Sequence, residues 1–432
     1  HLNQHSLDKH KDCLHKITTN ESISFFILYN KEKKLIGLSF SRFNNKSFYI
    51  IFNHKIGVSE ALIELTPLFS SETVKKVFWN SKEFISLLKD YNIHFKGTFF
   101  DVVIADYLIN PDSNRTFSGM IQKYDLDTIN LELLDLSIIN NIANYLIEGS
   151  MLLIKMRDVL LPLIEENGLT KLLYDVELPL VYVLLSVEQN GIHLDADSLS
   201  HYSKELTDKI NTLENSIFSY ANEKFNIASP KQLGDILFSK MQLSDKPKKT
   251  KSGQFATGEL ELLKLKGKHK IIDDILLFRT YQKLLTTYVN ALPLLINKND
   301  NKIHTTFNQT ITNTGRLSSS NPNLQNIPIR KESGKDVRRA FVPSKNHILM
   351  AADYSQIELR LIADLSQEDN MIEAFLNNED IHQSTASKVF KVALDKVTPD
   401  MRLSAKTVNF GIIYGVSAFG LSEQSTLNRK EA

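Results

Sequence analysis

Three short segments near the start of the chain constrain its fold most, because each is rich in β-branched and aromatic residues and polar turns separate them. They are Ile23 to Asn30, Lys34 to Ser41 and Ser47 to Asn53. A helical pattern at Glu60 to Leu68 and another strand pattern at Val74 to Trp79 come next. This order of segments predicts one open sheet with helices packed against it.

The hydrophobic period then changes and predicts a mostly helical region from Lys171 to Asn297. Within it, Ser229 followed by Pro230 is a strong helix-start signal. The basic stretch Lys246 to Gln254 contains no cluster of apolar side chains that could be buried. It is either a solvated loop or a mobile tip that contacts a backbone.

Composition excludes several classes of protein. With 432 residues, of which 42% are apolar, the chain is neither disordered nor collagen-like, and its length suggests roughly two to four domains. Cys13 is the only cysteine, which excludes a disulfide scaffold or a cysteine zinc site and fits a reducing cytosol. No apolar run approaches the about 20 residues that span a bilayer. Because the net charge is only +1, any nucleic-acid surface must be local.

The apolar segment His347 to Ala352 predicts a buried strand that ends at Asp353, with a helix from about Gln356 to Leu365 after it. A carboxylate at the carboxyl end of a strand lies where α/β sites collect ligands. Mg²⁺ binds one or two carboxylates together with substrate phosphates, as phosphoryl transfer requires. The alternative is that Ser355 and Glu358 form a capping box and Asp353 is a surface acid.

A second predicted helix, from about Pro399 to Tyr414, has a stripe that changes from cations to aromatic rings, at Arg402, Lys406, Phe410 and Tyr414. Cations can hold a polyphosphate, and a flat ring can stack on a base. The alternative is an amphipathic helix whose cations extend to water and whose rings lie in the core. Gly411 within this helix indicates that another group approaches closely there.

The stretch from Arg316 to Arg339 is basic, with six cations against two acids, and it contains the amides Gln325 and Asn326. Cations position phosphates and amides reach bases or sugars, which is how proteins bind duplexes. The alternative is a polar surface loop. Separately, His382 lies at a predicted helix start, where a phosphate could bind, although an ordinary structural histidine is the alternative.

These strings, in this order, resemble the family A DNA polymerases, and most closely the bacterial members. DYSQIELR is similar to motif A of that family, and the Arg402 to Gly415 string is similar to motif B. TGRLSSSNPNLQNIPIR and SPKQLGDILF match as well. The resemblance covers the chain from about Leu178 to its end, and the first third more loosely through FDVVIADYLINP.

The resemblance implies a mixed α/β and α multi-domain fold, that of a right-hand polymerase. An RNase H-like 3′–5′ exonuclease-like domain (1–167) would precede a mostly helical thumb region (168–302), a partial palm (303–370) and partial fingers (371–432). It also implies a cytoplasmic, nucleoid-associated monomer without a membrane partner. That protein would bind primer–template DNA and deoxynucleoside triphosphates. It would extend the primer 3′-hydroxyl with release of pyrophosphate, using two Mg²⁺ ions in the complete enzyme.

The matched motifs imply a nucleotide-binding site in this sequence. Asp353 would bind the catalytic Mg²⁺. Arg402 and Lys406 would hold the triphosphate, with Lys406 placed to assist the pyrophosphate leaving group. Phe410 would lie against the sugar and base, and Tyr414 would pack near the templating position.

Further matched positions would complete the nucleotide pocket and the DNA-binding surface. Glu358 with Tyr414 would block a 2′-hydroxyl and so reject ribonucleotides, Gln356 would line the pocket, and His382 would contact phosphate. Arg316 would reach the minor groove at the primer end. Gln325 and Asn326 would touch the template strand. The thumb-tip lysines Lys248, Lys249 and Lys251 would contact the duplex backbone.

The sequence departs from the family in its first domain, where proofreading relatives hold two metal ions with four carboxylates. SFFILYN stands where the family has Asp-x-Glu, NSKEF ends in Phe84 in place of an Asp, and YLIEG ends in Gly149. Without these acids the site cannot hold the cations. We therefore expect Phe26 to Met156 to form an exonuclease-like fold without exonuclease activity.

A second departure concerns the ends of the sequence. It starts at His1 rather than Met, and no His-Asp-Glu motif with a second catalytic carboxylate occurs before Ala432. One carboxylate cannot hold two Mg²⁺ ions against their repulsion, so we expect the printed chain to be inactive alone. A competing interpretation is a non-catalytic module that binds duplex DNA. A nuclease built on the first domain is a third, which the missing acids disfavour.

Overall fold

The computed structural model describes residues 22–43, 46–53, 56–128, 131, 135–328 and 332–424. Cys13, Arg330 and Lys331 lie outside the described residues. The chain divides into two compact units between Ile348 and Leu349.

The first unit begins with the open sheet that the sequence predicts. Its strands are β1 (Ser22–Tyr29), β2 (Leu35–Arg42), β3 (Ser47–Ile51), β4 (Lys75–Phe78) and β5 (Phe99–Asp101). The spatial order is β3-β2-β1-β4-β5. The β1–β2 and β2–β3 pairs are antiparallel, whereas β1–β4 and β4–β5 are parallel. The predicted three-stranded meander and the strand after it are therefore confirmed.

Among the described residues, the α-helices around this sheet are α1 (Val58–Glu64), α2 (Thr66–Phe69), α3 (Ser81–Asp90), α4 (Val102–Ile109), α5 (Phe117–Lys123) and α6 (Ile139–Glu166). Helix α6 lies close against the sheet because small residues line the contact. The buried hydroxyl of Ser24 on β1 donates to the carbonyl of Ser150 on α6 at 2.6 Å. One residue earlier, a Cβ at Gly149 would lie 2.7 Å from the ring of Phe26, so only glycine fits there.

The end of β5 positions two helices through one buried carboxylate. Asp101 is 2% exposed and accepts hydrogen bonds from the amide and the hydroxyl of Ser81, at 2.6 and 2.7 Å, where α3 begins. It also accepts from the amide of Ile104 at 3.0 Å, as the N-cap of α4. Burial raises the pKa of Asp101, and the hydrogen bonds oppose that shift because they favour the charged form.

The region after α6 is mostly helical, as predicted. Its helices are α7 (Leu178–Asn190), α8 (Ala196–Ala221), α9 (Pro230–Gly234), α10 (Glu259–Leu263) and α11 (Lys270–Leu284). The helix start at Ser229 is confirmed, since its hydroxyl accepts from the amide of Gln232. The strand β6 (Ile192–Leu194), which lies between α7 and α8, was not predicted because three residues give too short a pattern.

Two small sheets and a further α-helix follow in the described part of the first unit. Strands β7 (Lys302–Ile303) and β10 (Phe341–Val342) pair with β6 on either side. Strands β8 (Thr306–Asn308) and β9 (Ser318–Ser320) form an antiparallel hairpin. Residues 309–317, here called the β8–β9 loop, connect them. Helix α12 (Glu332–Arg339) precedes β10.

The predicted strand His347 to Ala352 is wrong. None of these residues is in a strand, and Ile348 and Met350 are 87% and 85% exposed. A lone strand is not stable without a neighbour, and no strand in the described ranges is hydrogen-bonded to this segment. Asp353 therefore lies in an exposed irregular segment rather than at the end of a strand.

The second unit is helical in its described part. Its helices are α13 (Ile357–Ser366), α14 (Asp369–Leu376), α15 (Ile381–Phe390), α16 (Pro399–Ile413) and α17 (Ala418–Gln424). The two helices predicted here, which correspond to α13 and α16, are confirmed. Across all the residues described, no helix combines the length and the apolar character needed to cross a membrane.

Replacing Asp101 by Ala is expected to lower the free energy of unfolding by about 2 to 4 kcal/mol, because Ser81 and Ile104 lose a buried acceptor. Urea denaturation measures the loss. The matched control is Asp135→Ala, since Asp135 is exposed and accepts only at a surface turn. Equal losses in both variants would contradict the assigned role of Asp101.

Candidate active site

Helix α16 presents its cation-to-aromatic stripe away from the core of the second unit. The helix begins at Pro399, with the Thr398 hydroxyl accepting from the amide of Met401 at 3.3 Å. Its buried residues are Ala405, Val408 and Gly411, none of which belongs to the stripe. Tyr414 is 60% exposed, so the alternative that placed the rings in the core is wrong for this ring.

The close approach expected at Gly411 comes from the protein itself. A Cβ at this position would lie 3.2 Å from Cδ1 of Leu421 on α17. Val408 and Leu421 are both buried in the small apolar cluster between these helices. Gly411 therefore allows α17 to pack tightly against α16.

The guanidinium of Arg402 is held by one carboxylate. Its Nε and Nη2 atoms both lie 2.7 Å from Oδ2 of Asp380. Oδ1 of the same residue accepts from the amide of Gln383 at 3.1 Å and caps α15. Burial works against ionisation of Asp380, but the hydrogen bonds from Arg402 and Gln383 outweigh it and lower the pKa of the carboxyl. Asp380 thus fixes both a helix end and a stripe cation.

His382 is buried beside the stripe and is 2% exposed. Its Nδ1 atom accepts from Nδ2 of Asn409 at 3.0 Å, which leaves the proton of the neutral ring on Nε2. Burial lowers the pKa of His382, and the charges of Arg402 and Lys406 act in the same direction, against the carboxylate of Asp380. At neutral pH this ring is therefore an uncharged N–H donor next to cations.

Lys406, the second cation of the stripe, lies close to the two aromatic rings of the stripe. The ammonium of Lys406 is 5.9 Å from the centre of the Phe410 ring, and it forms no ion pair with any residue in the described ranges. The rings of Phe410 and Tyr414 are 6.4 Å apart and nearly parallel, at 16°. The His382 ring lies 5.8 Å from Phe410. Charge and flat apolar surface thus occur on one face of α16, with the buried His382 ring in contact with Phe410.

Helix α13 meets the end of this stripe through Glu358. The hydroxyl of Tyr414 donates to Oε2 of Glu358 at 3.4 Å. The alternative capping box is wrong, because the N-cap of α13 is Gln356 and not Ser355, and no side chain caps this helix end. Glu358 on α13 and Tyr414 at the end of α16 thus lie in contact with each other.

Gln356 has two unusual features for the residue before a helix. Its φ of 52° lies in the left-handed region, which is costly for a residue with a long side chain. Its Oε1 atom is buried and has no hydrogen-bond partner in the part of the chain described. A buried acceptor without a donor is uncommon, and this oxygen has the capacity to accept a hydrogen bond from a bound ligand.

Asp353 lies in the exposed segment that precedes α13. Its carboxylate has no hydrogen bond or ion pair with any residue that the structure describes. Both oxygens are therefore open to a ligand, and hard carboxylate oxygens suit Mg²⁺.

The predicted DNA-contacting residues of the β8–β9 region lie together in the first unit. Arg316, Gln325 and Asn326 are all exposed. The Gln325 side chain donates to the carbonyl of Leu317, next to Arg316, at 3.1 Å. The backbone carbonyl of Asn326 accepts from the Tyr288 hydroxyl at 2.5 Å, which holds the backbone at this position.

The predicted thumb tip is a tight exposed turn. Thr250 and Gln254 close it through a backbone hydrogen bond of 2.8 Å. Lys248, Lys249 and Lys251 are exposed. Lys248 lies 3.5 Å from Glu261, Lys249 lies 5.4 Å from the Phe255 ring, and both remain close to solvent.

Sequence reasoning missed two residues that organise the site. The sequence pattern indicates a helix start at His382 but gives no role to Asp380 or Asn409. Each acts on a residue more than 20 positions away in the chain, Arg402 and His382 respectively. The single available signal was the Asp380 N-cap position, which does not identify a distant partner.

Comparison with protein families gives two matches. The description "DNA polymerase family A" fits residues 196–432, and "DNA polymerase I, ribonuclease H-like domain" fits residues 29–134. These matches cover the two regions that the motifs had indicated, and they confirm the resemblance.

Individual relatives agree. The chain is 41% identical over 408 residues to DNA polymerase I of Bacillus subtilis (strain 168), a match that covers 91% of this chain and 46% of the relative. It is 42% identical over 390 residues to DNA polymerase I of Caldicellulosiruptor bescii, with coverage of 90% and 44%. The chain thus spans a little under half the length of these relatives.

Among solved structures, the chain is similar to the POL domain of Pol1 from M. smegmatis in complex with DNA primer-template and dNTP. The TM-score is 0.83 at 29% identity, and the match covers 100% of this chain and 74% of that chain. The predicted fold class is confirmed.

The two roles of Asp380 can be separated by substitution. Asp380→Ala should lower the free energy of unfolding of the second unit by about 1 to 2 kcal/mol, because it removes the helix cap and the ion pair. Asp380→Asn retains a cap but loses the half-exposed pair, so it should cost less than about 1 kcal/mol, and high salt should reduce that cost. Thermal unfolding at two salt concentrations measures both. A loss in the Asn variant as large as that in the Ala variant would show that the cap contributes nothing.

Proposed function

Because this chain belongs to DNA polymerase family A, we propose that it forms part of a template-directed DNA polymerase. The reaction is attack of a primer 3′-hydroxyl on the α-phosphate of a deoxynucleoside triphosphate, with release of pyrophosphate. The observation that supports it best is the arrangement of the stripe on α16, whose cations and rings lie beside His382 and Glu358. The domain boundaries given above, at residues 167, 302 and 370, are part of this proposal.

The cationic end of the stripe, formed by Arg402 and Lys406, would bind the triphosphate. Arg402 offers a guanidinium that Asp380 has already oriented, so little ordering is needed on binding. Lys406 has an ammonium without an anionic partner among the described residues, and it would donate to the leaving pyrophosphate. Neutral His382 would add an N–H donor from Nε2 to a phosphate oxygen.

The aromatic end of the stripe, formed by Phe410 and Tyr414, would select the base and the sugar. Phe410 provides a flat face, and Tyr414 lies next to it toward the templating position in this proposal. The hydrogen bond from Tyr414 would help to hold the Glu358 carboxylate, which in this proposal blocks a 2′-hydroxyl. The unpaired Oε1 of Gln356 would accept a hydrogen bond in the same pocket.

Asp353 would hold Mg²⁺ through its open carboxylate, and Mg²⁺ when bound neutralises phosphate charge. No cluster of three or more metal-ligating side chains occurs in the ranges that the structure describes. Phosphate and water oxygens would therefore supply further ligands beside Asp353, as Mg²⁺ sites commonly require.

Duplex DNA would contact the first unit. Exposed Arg316, Gln325 and Asn326 would meet the primer end and the template strand, and the thumb-tip lysines Lys248, Lys249 and Lys251 would meet the backbone. A module that only binds duplex is the second candidate function. It accounts for the cations, but it gives no role to the Glu358–Tyr414 hydrogen bond or to the open Asp353 carboxylate.

We also propose that the first domain has no exonuclease activity, because hydrocarbon occupies the positions of the expected acids. Phe84 is 1% exposed, and its ring lies 4.7 Å from that of Phe78. The ring of Phe26 covers Gly149 and lies 5.1 Å from the Phe117 ring. The cavity that remains has a volume of about 120 Å³ and is lined mainly by aromatic rings. Its oxygen-bearing side chains are those of Tyr29, Asn80 and Glu83, so a cation there would meet one carboxylate rather than a set of four.

Replacing Asp353 by Asn should abolish primer extension by the natural full-length gene product while duplex affinity stays nearly unchanged. A neutral amide is a poor Mg²⁺ ligand, whereas duplex binding depends on cations elsewhere. Extension assays and fluorescence anisotropy measure the two effects. Asp364→Asn is the matched control, because Asp364 is an exposed carboxylate on α13. Unimpaired extension by the Asp353 variant would refute the metal role, and a full-length wild type that binds but never extends would favour the binding module.

Replacing Glu358 by Ala should raise ribonucleotide incorporation relative to deoxynucleotide incorporation by about tenfold or more, because the group that blocks the 2′-hydroxyl is removed. The ratio of kcat/KM values for the two nucleotides measures the change. Glu373→Ala on α14 is the control, since Glu373 is exposed and distant from the stripe in sequence. An unchanged ratio with reduced stability would instead assign Glu358 a structural role.

Single-stranded DNA labelled at its 5′ end should remain full length when this chain is incubated with Mg²⁺ or Mn²⁺, because the first domain offers no carboxylate set for two ions. Gel electrophoresis resolves any trimming from the 3′ end. An exonuclease-proficient family A polymerase serves as the positive control. Trimming that persists through repurification and stops with EDTA would contradict the proposal.

A further inference from the structure

The β8–β9 loop is exposed along much of its length, yet its backbone is held by the α/β domain. The hydroxyl of Tyr107 on α4 donates to the carbonyl of Thr312 at 2.7 Å and accepts from the amide of Gly315 at 3.0 Å. Tyr107 itself is 3% exposed. One hydroxyl therefore bridges two points of the loop immediately before Arg316.

The loop also has an internal contact that transmits this constraint. The Thr312 hydroxyl donates to the carbonyl of Arg316 at 2.5 Å. Gly315 has a φ of 78°, a left-handed conformation that glycine adopts without strain. Such a loop would sample many conformations if it were free. The two hydrogen bonds of the Tyr107 hydroxyl stabilise one of these conformations, in which Arg316 directly follows the turn at Gly315.

A second side chain holds the start of the loop. Nη1 of Arg115 donates to the carbonyl of Thr310 at 3.1 Å, and Nη2 donates to the carbonyl of Asn110 at 2.5 Å. Its guanidinium lies 5.0 Å from the centre of the Tyr107 ring. Its Nε atom is 3.2 Å from Oδ2 of Asp106, so the charge of Arg115 is balanced where it is buried.

Further contacts reach the loop and the strand that leads into it. Oδ1 of Asp112 accepts from the side-chain amide of Asn313 at 3.1 Å. On the strand side, Lys82 of α3 bonds both the carboxylate of Glu188 and the carbonyl of Phe307 on β8. The amide of Phe307 donates to the same carboxylate at 2.7 Å. The α/β domain thus contacts the hairpin at its base and at its loop.

From these contacts we propose that the α/β domain is a scaffold for the β8–β9 loop and that Tyr107 is a positioning residue for Arg316. The inference rests on the proposed role of Arg316 in binding duplex DNA. A loop that is already ordered loses less conformational entropy when it binds, so its contacts yield higher affinity. The domain would then contribute to DNA binding without any chemistry of its own.

The test is the affinity of the full chain for a primer–template duplex, measured by fluorescence anisotropy at one fixed salt concentration. Tyr107→Phe keeps the ring and removes the hydroxyl, and it should weaken binding by about 3- to 10-fold. Tyr182→Phe is the matched control, because Tyr182 on α7 packs on Phe99 of the α/β domain, 5.8 Å between ring centres, and has no hydrogen bond to the loop among the described residues. It should leave the affinity unchanged.

A double-mutant cycle with Arg316→Ala gives the sharper readout. Arg316→Ala alone should weaken binding by about tenfold or more. If Tyr107 acts through Arg316, adding Tyr107→Phe to that variant should cause little further loss. Asp112→Ala is a second, exposed probe of the loop, and it should cause about a twofold loss that likewise disappears without Arg316.

The possible results separate the two ideas. If Arg316→Ala leaves affinity unchanged, the proposed role of Arg316 is wrong. If Arg316→Ala weakens binding but neither Tyr107→Phe nor Asp112→Ala does, the scaffold inference is wrong. It is also wrong if their losses add fully to that of Arg316→Ala, because the variants would then act through general destabilisation.

Discussion

A fully buried carboxylate, that of Asp106, determines how the first unit is built around the β8–β9 loop. An isolated charge in such a position would be strongly destabilising. Here Arg115 and Lys123 supply opposite charge at 3.2 and 2.6 Å, and the Tyr124 hydroxyl donates at 2.6 Å. Because removal of one partner would leave another charge uncompensated, the set is stable only as a whole. Arg115 is fixed by this requirement, and its remaining nitrogens are then correctly placed for the carbonyl of Thr310.

Local patterns predicted the elements well where the cause of the element is local. The three-stranded meander followed from alternation between polar turns, the α9 start followed from the Ser229 cap, and α16 followed from its spacing. The strand from His347 to Ala352 failed for the opposite reason. Its apolar residues fit a strand, but a strand also needs a hydrogen-bonded neighbour, and composition does not show whether one is present. Ile348 and Met350 are exposed as a result.

The same distinction between local and distant causes applies to the residues of the candidate site. Residue types and spacing were enough to select Arg402, Lys406 and the rings of the stripe, since one helix brings them together. The pairing of Asp380 with Arg402 and that of Asn409 with His382 were beyond reach, because each joins two helices. Asp380 and Asn409 thus determine properties on which the proposed chemistry depends. They orient the guanidinium and decide which nitrogen of the imidazole has the proton.

The loss of acids from the first domain and its proposed scaffold role are physically compatible. Burying a phenylalanine contributes about 1.5 to 3 kcal/mol, so Phe84 and Phe26 stabilise a region that would otherwise enclose repelling carboxylates. Phe84 lies on α3, and the carboxylate of Asp101 joins the start of α3 at Ser81 to the start of α4. Helix α4 in turn contains Tyr107. In the proposed scaffold, burial of these rings would stabilise the helix that carries the Tyr107 hydroxyl, and through it the loop proposed to contact DNA.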